Sequence, residues 1–189
     1  MNHFFIYSYS ILICLWASFY IYWFVSAMSA KKNIRTNRPG IFIRLLFVVV
    51  IILVVENSSV VRHVIGSDIH NLPLNILGLA LCAAGLAFAV WARIHIGKNW
   101  GMPMSVKENP ELVTSGPYRL VRHPIYSGIM LAMIGSGLTS NAIWFILVIF
   151  FVVYFIFSAR REEALMTREF PDQYPAYKKR TKMLIPFVL

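Results

Sequence analysis

The first apolar run of this chain, Phe4 to Met28, continues for 25 residues without a single Lys, Arg, Asp or Glu. A helix needs roughly 20 such residues to cross the hydrocarbon core of a bilayer, where every backbone amide must find its partner inside its own segment. The run is too long for a signal-peptide core and lacks a basic leader and a small-residue cleavage site, so it is expected to remain as a spanning helix. Four further apolar segments follow, Ile41 to Val55, Leu74 to Ala92, Ile125 to Leu138 and Ala142 to Phe157. Leu74 to Ala92 spans comfortably, and Ile41 to Val55 does so when its flanks are counted and Arg44 snorkels to the interface. The last two are joined by Thr139-Ser140-Asn141 and read as a tight helical hairpin. Hydrophobic residues make up 58% of the chain and charged ones 14%, with a mean hydropathy of +0.65, outside the usual range of soluble domains. The expectation is an all-α integral membrane protein with about five transmembrane segments and a cytoplasmic C-terminal helix or tail. It forms a single membrane domain over 1–189, with three helices in 1–92 and a chemically distinct half in 93–189.

The net charge of +10 does not point to nucleic acid, because the bases sit in the connections between apolar runs, where such groups fix membrane orientation. Residues 29–44 carry five Lys or Arg, 56–73 one, 93–124 five, 139–141 none, and those after 157 seven. The excess of bases on cytoplasmic loops then assigns 17 of the 18 to one side and puts the N-terminus outside. Cys14 and Cys82 both lie in apolar runs and imply no disulfide framework. The connection Arg93 to His123 reads as an irregular cytoplasmic cover with a short interfacial helix around His95 to Trp100. After Phe157, helical spacing of Glu162, Leu165, Met166 and Glu169 is expected to continue until Pro171 ends it.

The chain has no CxxC pair, HExxH, G-x-S-x-G, Walker loop or G-x-G-x-x-G turn, so metal-dependent hydrolysis, serine hydrolysis and Rossmann-type cofactor binding have no motif behind them. What remains is two polar blocks at one membrane face. Arg122-His123-Pro124-Ile125-Tyr126 opens the fourth apolar helix, where Pro124 suits the first turn and the free N–H groups favour an anion. Arg160-Arg161-Glu162-Glu163 follows the last apolar run, and the hairpin returns it to the surface that the chain left at Pro124. Glu162 and Glu163 are therefore expected beside His123 and Tyr126. Aromatics, a helix N-terminus and a carboxylate suit a zwitterionic or cationic nucleoside cofactor. Phe170, Tyr174 and Tyr177 are either its lid or apolar packing for the tail.

The blocks Leu112-Val113-Thr114-Ser115-Gly116-Pro117-Tyr118, Arg122-His123-Pro124-x-Tyr126-x-Gly128 and Glu162-Glu163-x-Leu165, continued by Phe170, Tyr174, Tyr177 and Arg180, resemble the isoprenylcysteine carboxyl methyltransferase family and its phospholipid methyltransferase relatives. The resemblance covers roughly 93–186. It implies a methyltransferase that holds S-adenosylmethionine in a cytoplasm-facing pocket, with contacts from Pro110, Glu111, Leu112, Val113, Tyr118, His123, Pro124, Ile125, Tyr126 and Glu162. Arg122 and Glu163 are read as positioning residues, and no metal and no distinct general base are implied. Pro110 stands where eukaryotic members often carry histidine. Ser158 stands where the carboxyl methyltransferases carry an arginine thought to orient the substrate carboxylate, and Arg160 is the candidate replacement in substrate binding.

The implied acceptor is a lipid-like or prenylated small molecule reaching the site from the bilayer, at the plasma (inner) membrane. Three other readings compete. A phospholipid or amine N-methyltransferase shares the pocket. An NADPH-dependent sterol-type reductase resembles the fold, but its segment reads His-Pro-Asn-Tyr where position 125 here is Ile. A non-enzymatic membrane interaction subunit leaves the pocket residues unexplained.

Overall fold

A computed structural model of the chain describes residues 3–28, 33–36, 71–100, 105–107, 111–140 and 143–187. Three of its helices are long and apolar enough to cross a membrane. Helix α1 runs His3–Ala27, α2 Leu72–Ile96, α3 Pro124–Thr139, α4 Ile143–Glu169 and α5 Tyr174–Arg180. The sixteen residues of α3 reach about 24 Å, short of a hydrocarbon core of about 30 Å. The protein is thus an integral membrane protein built from helices. The segment Ile41 to Val55 and Arg44 lie outside the described residues.

Helix α2 starts where its sequence says it should, with Asn71 accepting a hydrogen bond from Leu74 N at 3.1 Å and a proline in the first turn. It packs antiparallel on α3 through paired glycines. A Cβ on Gly85 would lie 2.5 Å from Gly128 O, and one on Gly135 2.5 Å from Gly78 O, so the two backbones approach as only glycine allows. At the start of α2 the fully buried Asn75 donates to Thr139 O at 2.8 Å, fastening the end of α3. Leu12 and Phe19 of α1 join Cys82, Leu86, Ala89 and Ala132 in the core. Ile6, Ile13, Ile21 and Phe24 face outward, as expected of a helix bathed in lipid.

The C-terminal ends of α1 and α2 lie together, because Arg93 Nη2 donates to Ser26 O at 2.6 Å. A two-stranded antiparallel ribbon, β1 (Asn33–Thr36) with β2 (Ser105–Lys107), joins the connections that follow these ends and is an addition to the expected all-α architecture. No separate interfacial helix forms at His95 to Trp100. Instead α2 continues to Ile96, and Gly97, at φ 55°, turns the chain into a 3-10 turn over Gly97–Asn99. Trp100 is anchored on protein, with the Arg93 guanidinium 4.7 Å above its ring and Trp23 edge-on at 5.5 Å.

Helix α4 runs well past the apolar stretch that ends at Phe157, because residues 158–169 are rich in good helix formers and Pro171 supplies the stop. Glu162 and Glu163 consequently sit on a rigid helix. Pro175 lies in the first turn of α5, which is only seven residues long.

Candidate active site

The polar end of the bundle is organised by the turn before α3. Gly116 has a φ of 58°, which favours glycine, and a Cβ there would come within 2.7 Å of the exposed His95 ring and turn it aside. A 3-10 turn at Gly116–Arg119 then buries Tyr118, whose carbonyl accepts a 2.6 Å hydrogen bond from the Tyr177 hydroxyl. The amides of Arg122 and His123 donate to Lys182 O at 2.8 Å and Met183 O at 3.0 Å. The Ser127 hydroxyl donates to Leu184 O one step further on. These bonds strap the C-terminal tail across the start of α3.

The two adjacent glutamates take different roles because consecutive residues point about 100° apart on a helix. Glu163 is 3% exposed and accepts from Arg122 Nε at 2.6 Å, with Lys178 Nζ at 2.7 Å. Arg122 also donates through Nη1 to the carbonyls of Lys178 and Thr181, so this ionic knot ties α3, α4 and the tail together. Glu162 is 24% exposed and turned toward open space. Its Oε1 accepts from the Tyr126 hydroxyl at 2.6 Å, and its Oε2 lies 3.4 Å from His123 Nδ1.

The His123 ring lies parallel to that of Tyr126 at 5.5 Å, which in turn stacks on Phe155 at 4.4 Å. His123 Nε2 is buried, 3.7 Å from Glu163 Oε1, and has no hydrogen-bond partner. Burial disfavours the charged form of this imidazole, but its contacts with Glu162 and Glu163 favour it more, and its pKa is raised above the ordinary histidine value. Burial likewise pushes the Tyr118 and Tyr174 hydroxyls up and carries Tyr177 to about 12, so all three stay neutral donors at physiological pH.

One cavity of about 650 Å³ begins at this cluster and extends between the helices. Glu111, Leu112, Val113, Tyr118, Arg122, His123, Pro124, Ile125, Tyr126 and Glu162 all line it, so the structure gathers residues spread over fifty positions of sequence. Pro110 lies outside the described residues. Glu163 stands behind the wall. Tyr174 and Tyr177 are buried and line the cavity, whereas Phe170 does not.

Arg160, the expected substrate-binding residue, is exposed and does not line the cavity. Two residues beyond Ser158, it sits about 200° around the helix. Ser158 itself is fully buried, on the α4 stripe that runs through Phe151, Phe155, Glu162 and Met166. Sequence reasoning missed the other arm of the cavity, formed by Trp16, Phe19, Tyr20 and Trp23 of α1 with Trp144 and Leu147 of α4. The signal was a run of aromatics at helical spacing in each helix, read there only as membrane-spanning material.

A model of the phospholipid methyltransferase family matches residues 74–173. The chain belongs to this family. Membership makes it a methyltransferase by family, and the matched stretch holds α2, the turn before α3, the hairpin and both glutamates; Trp16 and the strap after Tyr174 lie outside it. The chain is 28% identical over 165 residues to the nickel-cobalt-cadmium resistance protein NccN of Alcaligenes xylosoxydans xylosoxydans, covering 86% of this chain and 71% of that protein. It is 31% identical over 117 residues to the cobalt-zinc-cadmium resistance protein CzcN of Cupriavidus metallidurans, covering 61% and 49% respectively. It is 32% identical over 117 residues to protein-S-isoprenylcysteine O-methyltransferase B of Arabidopsis thaliana, covering 59% and 58%. The chain thus spans about half of the second and under two thirds of the third of these relatives. Although two of them are named for metal resistance, no group of three or more His, Cys, Asp or Glu is placed to hold a metal ion among the described residues.

Proposed function

We propose that this protein transfers a methyl group from S-adenosylmethionine to a lipid-like acceptor held in the membrane. The observation that carries this reading is a single cavity with a carboxylate and a histidine at one end and an aromatic arm between the helices at the other. The residues at the polar end fit the cofactor chemically. Glu162, partly exposed and lining the cavity, offers a carboxylate to an ammonium group, and His123 and Tyr126 hold that carboxylate in place. Leu112, Val113, Tyr118 and Ile125 offer apolar faces for a nucleobase. When bound, the cofactor supplies a methyl group already activated by its sulfonium.

The chain's own contribution is then proximity, orientation and exclusion of water, which together are worth up to about 7 to 11 kcal/mol in favourable cases. Arg122 and Glu163 act as positioning residues, since their knot holds the tail whose Tyr174 and Tyr177 wall the polar end. The acceptor's chain lies along the aromatic arm, with its head brought toward Glu162. With the N-terminus outside, as the placement of 17 of 18 bases supports, the polar end faces the cytoplasm at the plasma (inner) membrane.

The walls favour an amine head over a carboxylate. Among the described residues, the Lys or Arg that lines the cavity is Arg122, and it is already committed to Glu163 and to the carbonyls of Lys178 and Thr181. With Ser158 buried in α4 and Arg160 turned away, no planar donor fork is left for a carboxylate among the described residues. The names of the isoprenylcysteine O-methyltransferase relatives support the carboxylate as the second reading. Membranes holding the protein, incubated with methyl-labelled S-adenosylmethionine and a panel of amine-headed lipids and prenylated cysteines, separate the two. Label in an amine-headed lipid is expected. Label in a farnesylated cysteine alone reverses the choice of acceptor, and NADPH oxidation by a sterol substrate with no label transferred would replace methyl transfer with reduction.

A further inference from the structure

The arm of the cavity that leads away from Glu162 is lined on α4 by Phe155, Phe151, Leu147 and Trp144, one stripe at helical spacing. At its far end the Trp144 indole stacks on that of Trp16, with centroids 5.8 Å apart and planes 13° from parallel. An indole N–H in apolar surroundings needs a partner, and Trp16 has one: Nε1 donates to Ser136 Oγ at 3.0 Å. Ser136 is fully buried and donates in turn to Ala132 O at 2.9 Å, so the Trp16 ring is held in one orientation. On α3 the last residue to line the cavity is Met133, one turn before Ser136.

We propose that the stacked Trp16–Trp144 pair is the floor of a channel for one acceptor chain and sets the longest chain the protein accepts. The inference rests on the proposed methyl transfer only for the identity of the head group. Phe155, which stacks under Tyr126 at the polar end, and Trp144 are eleven residues apart on one helix, about 16 Å. A fully extended chain advances roughly 1.2 Å per bond, judged from the reach of a polypeptide. The channel therefore takes a chain of about 14 carbons before its end meets the indoles.

The test uses the full chain in membranes and n-alkylamines of about 8 to 18 carbons carrying a terminal diazirine, with cross-links mapped by mass spectrometry and chain reach taken as above. In the wild type, labelling of Trp16, Met133 and Trp144 is expected to peak near 14 carbons, and cavity labelling by the longest chains to fall about tenfold. Trp144→Ala should restore the longest chains, while Trp144→Phe keeps the limit. Leu147→Trp serves whether or not Trp144→Ala folds: it raises the floor by three residues, about 4.5 Å, and should shorten the limit by about four carbons. No length limit in the wild type, or a limit unmoved in Leu147→Trp and in folded Trp144→Ala, overturns the floor. Methyl transfer to the same amines is scored separately. A length limit without methyl transfer leaves the floor standing and removes the amine acceptor; methyl transfer without a length limit does the reverse.

Discussion

Glu162 and Glu163 are neighbours in sequence, and replacing each by Gln is expected to give opposite phenotypes. Glu163 is 3% exposed and neutralises Arg122, itself 7% exposed, whereas its other partner, Lys178, is 51% exposed and can turn to water. Breaking a buried pair from one side costs about 3 to 5 kcal/mol, because the remaining charge stays desolvated. Arg122 keeps its bonds to the carbonyls of Lys178 and Thr181, so the low end, about 3 kcal/mol, is the expected loss, or about 6 to 12 °C in Tm for a chain of this size. Glu162→Gln loses one charge-assisted bond from Tyr126 at a partly open position and should change stability by about 1 kcal/mol. Its cost appears in ligand binding, where a charged hydrogen bond of about 1.5 to 3 kcal/mol corresponds to roughly a 10- to 150-fold weaker Kd for S-adenosylhomocysteine. Thermal unfolding of both purified variants, with and without that ligand, reads both effects. A Glu163→Gln protein as stable as the wild type but unable to bind, beside a Glu162→Gln protein that binds normally, would refute this division of labour.

Gly135→Ala places a Cβ 2.4 Å from Cys82 N, against backbone with no room to yield, and is expected to abolish the folded fraction in size-exclusion analysis. Gly97→Ala meets nothing within 4 Å, so its loss, about 1 to 3 kcal/mol, comes from the backbone alone, whose φ of 55° and ψ of −131° side-chain-bearing residues rarely adopt. Arg93→Ala removes the bonds to Ser26 O and Gly97 O and the contact with Trp100, so amide exchange in the last turns of α1 should rise by about tenfold or more while α3 and α4 keep their protection. His123 has a raised pKa in the folded chain, so the stability it contributes is fully present below the unfolded value and is lost as pH rises through the folded one. Unfolding temperatures across that window should fall in the wild type and stay flatter in His123→Gln.

The juxtaposition of Glu162 and Glu163 with His123 and Tyr126 was legible in sequence because a short hairpin leaves the chain few places to return to. The end of α4 was legible for a similar reason: helix formers run up to Pro171. The strap was not, since pairing of Arg122 and His123 with Lys182 and Met183 is a backbone contact that carries no residue signature. Nor was the aromatic arm. Trp16 and Trp144 differ from other lipid-facing aromatics only by the partner each finds across the bundle. The separate helix expected at His95 to Trp100 failed because Arg93 folds back onto the end of its own helix, which keeps α2 intact to Ile96. The outward position of Arg160 was legible too, because two residues carry a side chain about 200° around a helix from Ser158.

The end of the cavity built from His123, Tyr126 and Glu162 is proposed to receive S-adenosylmethionine. Isothermal titration of S-adenosylhomocysteine and, separately, of NADPH into the purified protein tests it without needing the acceptor. Saturable binding of S-adenosylhomocysteine at one site per chain, weakened in Glu162→Gln, and no heat with NADPH are expected. Saturable NADPH binding with no response to S-adenosylhomocysteine would contradict it.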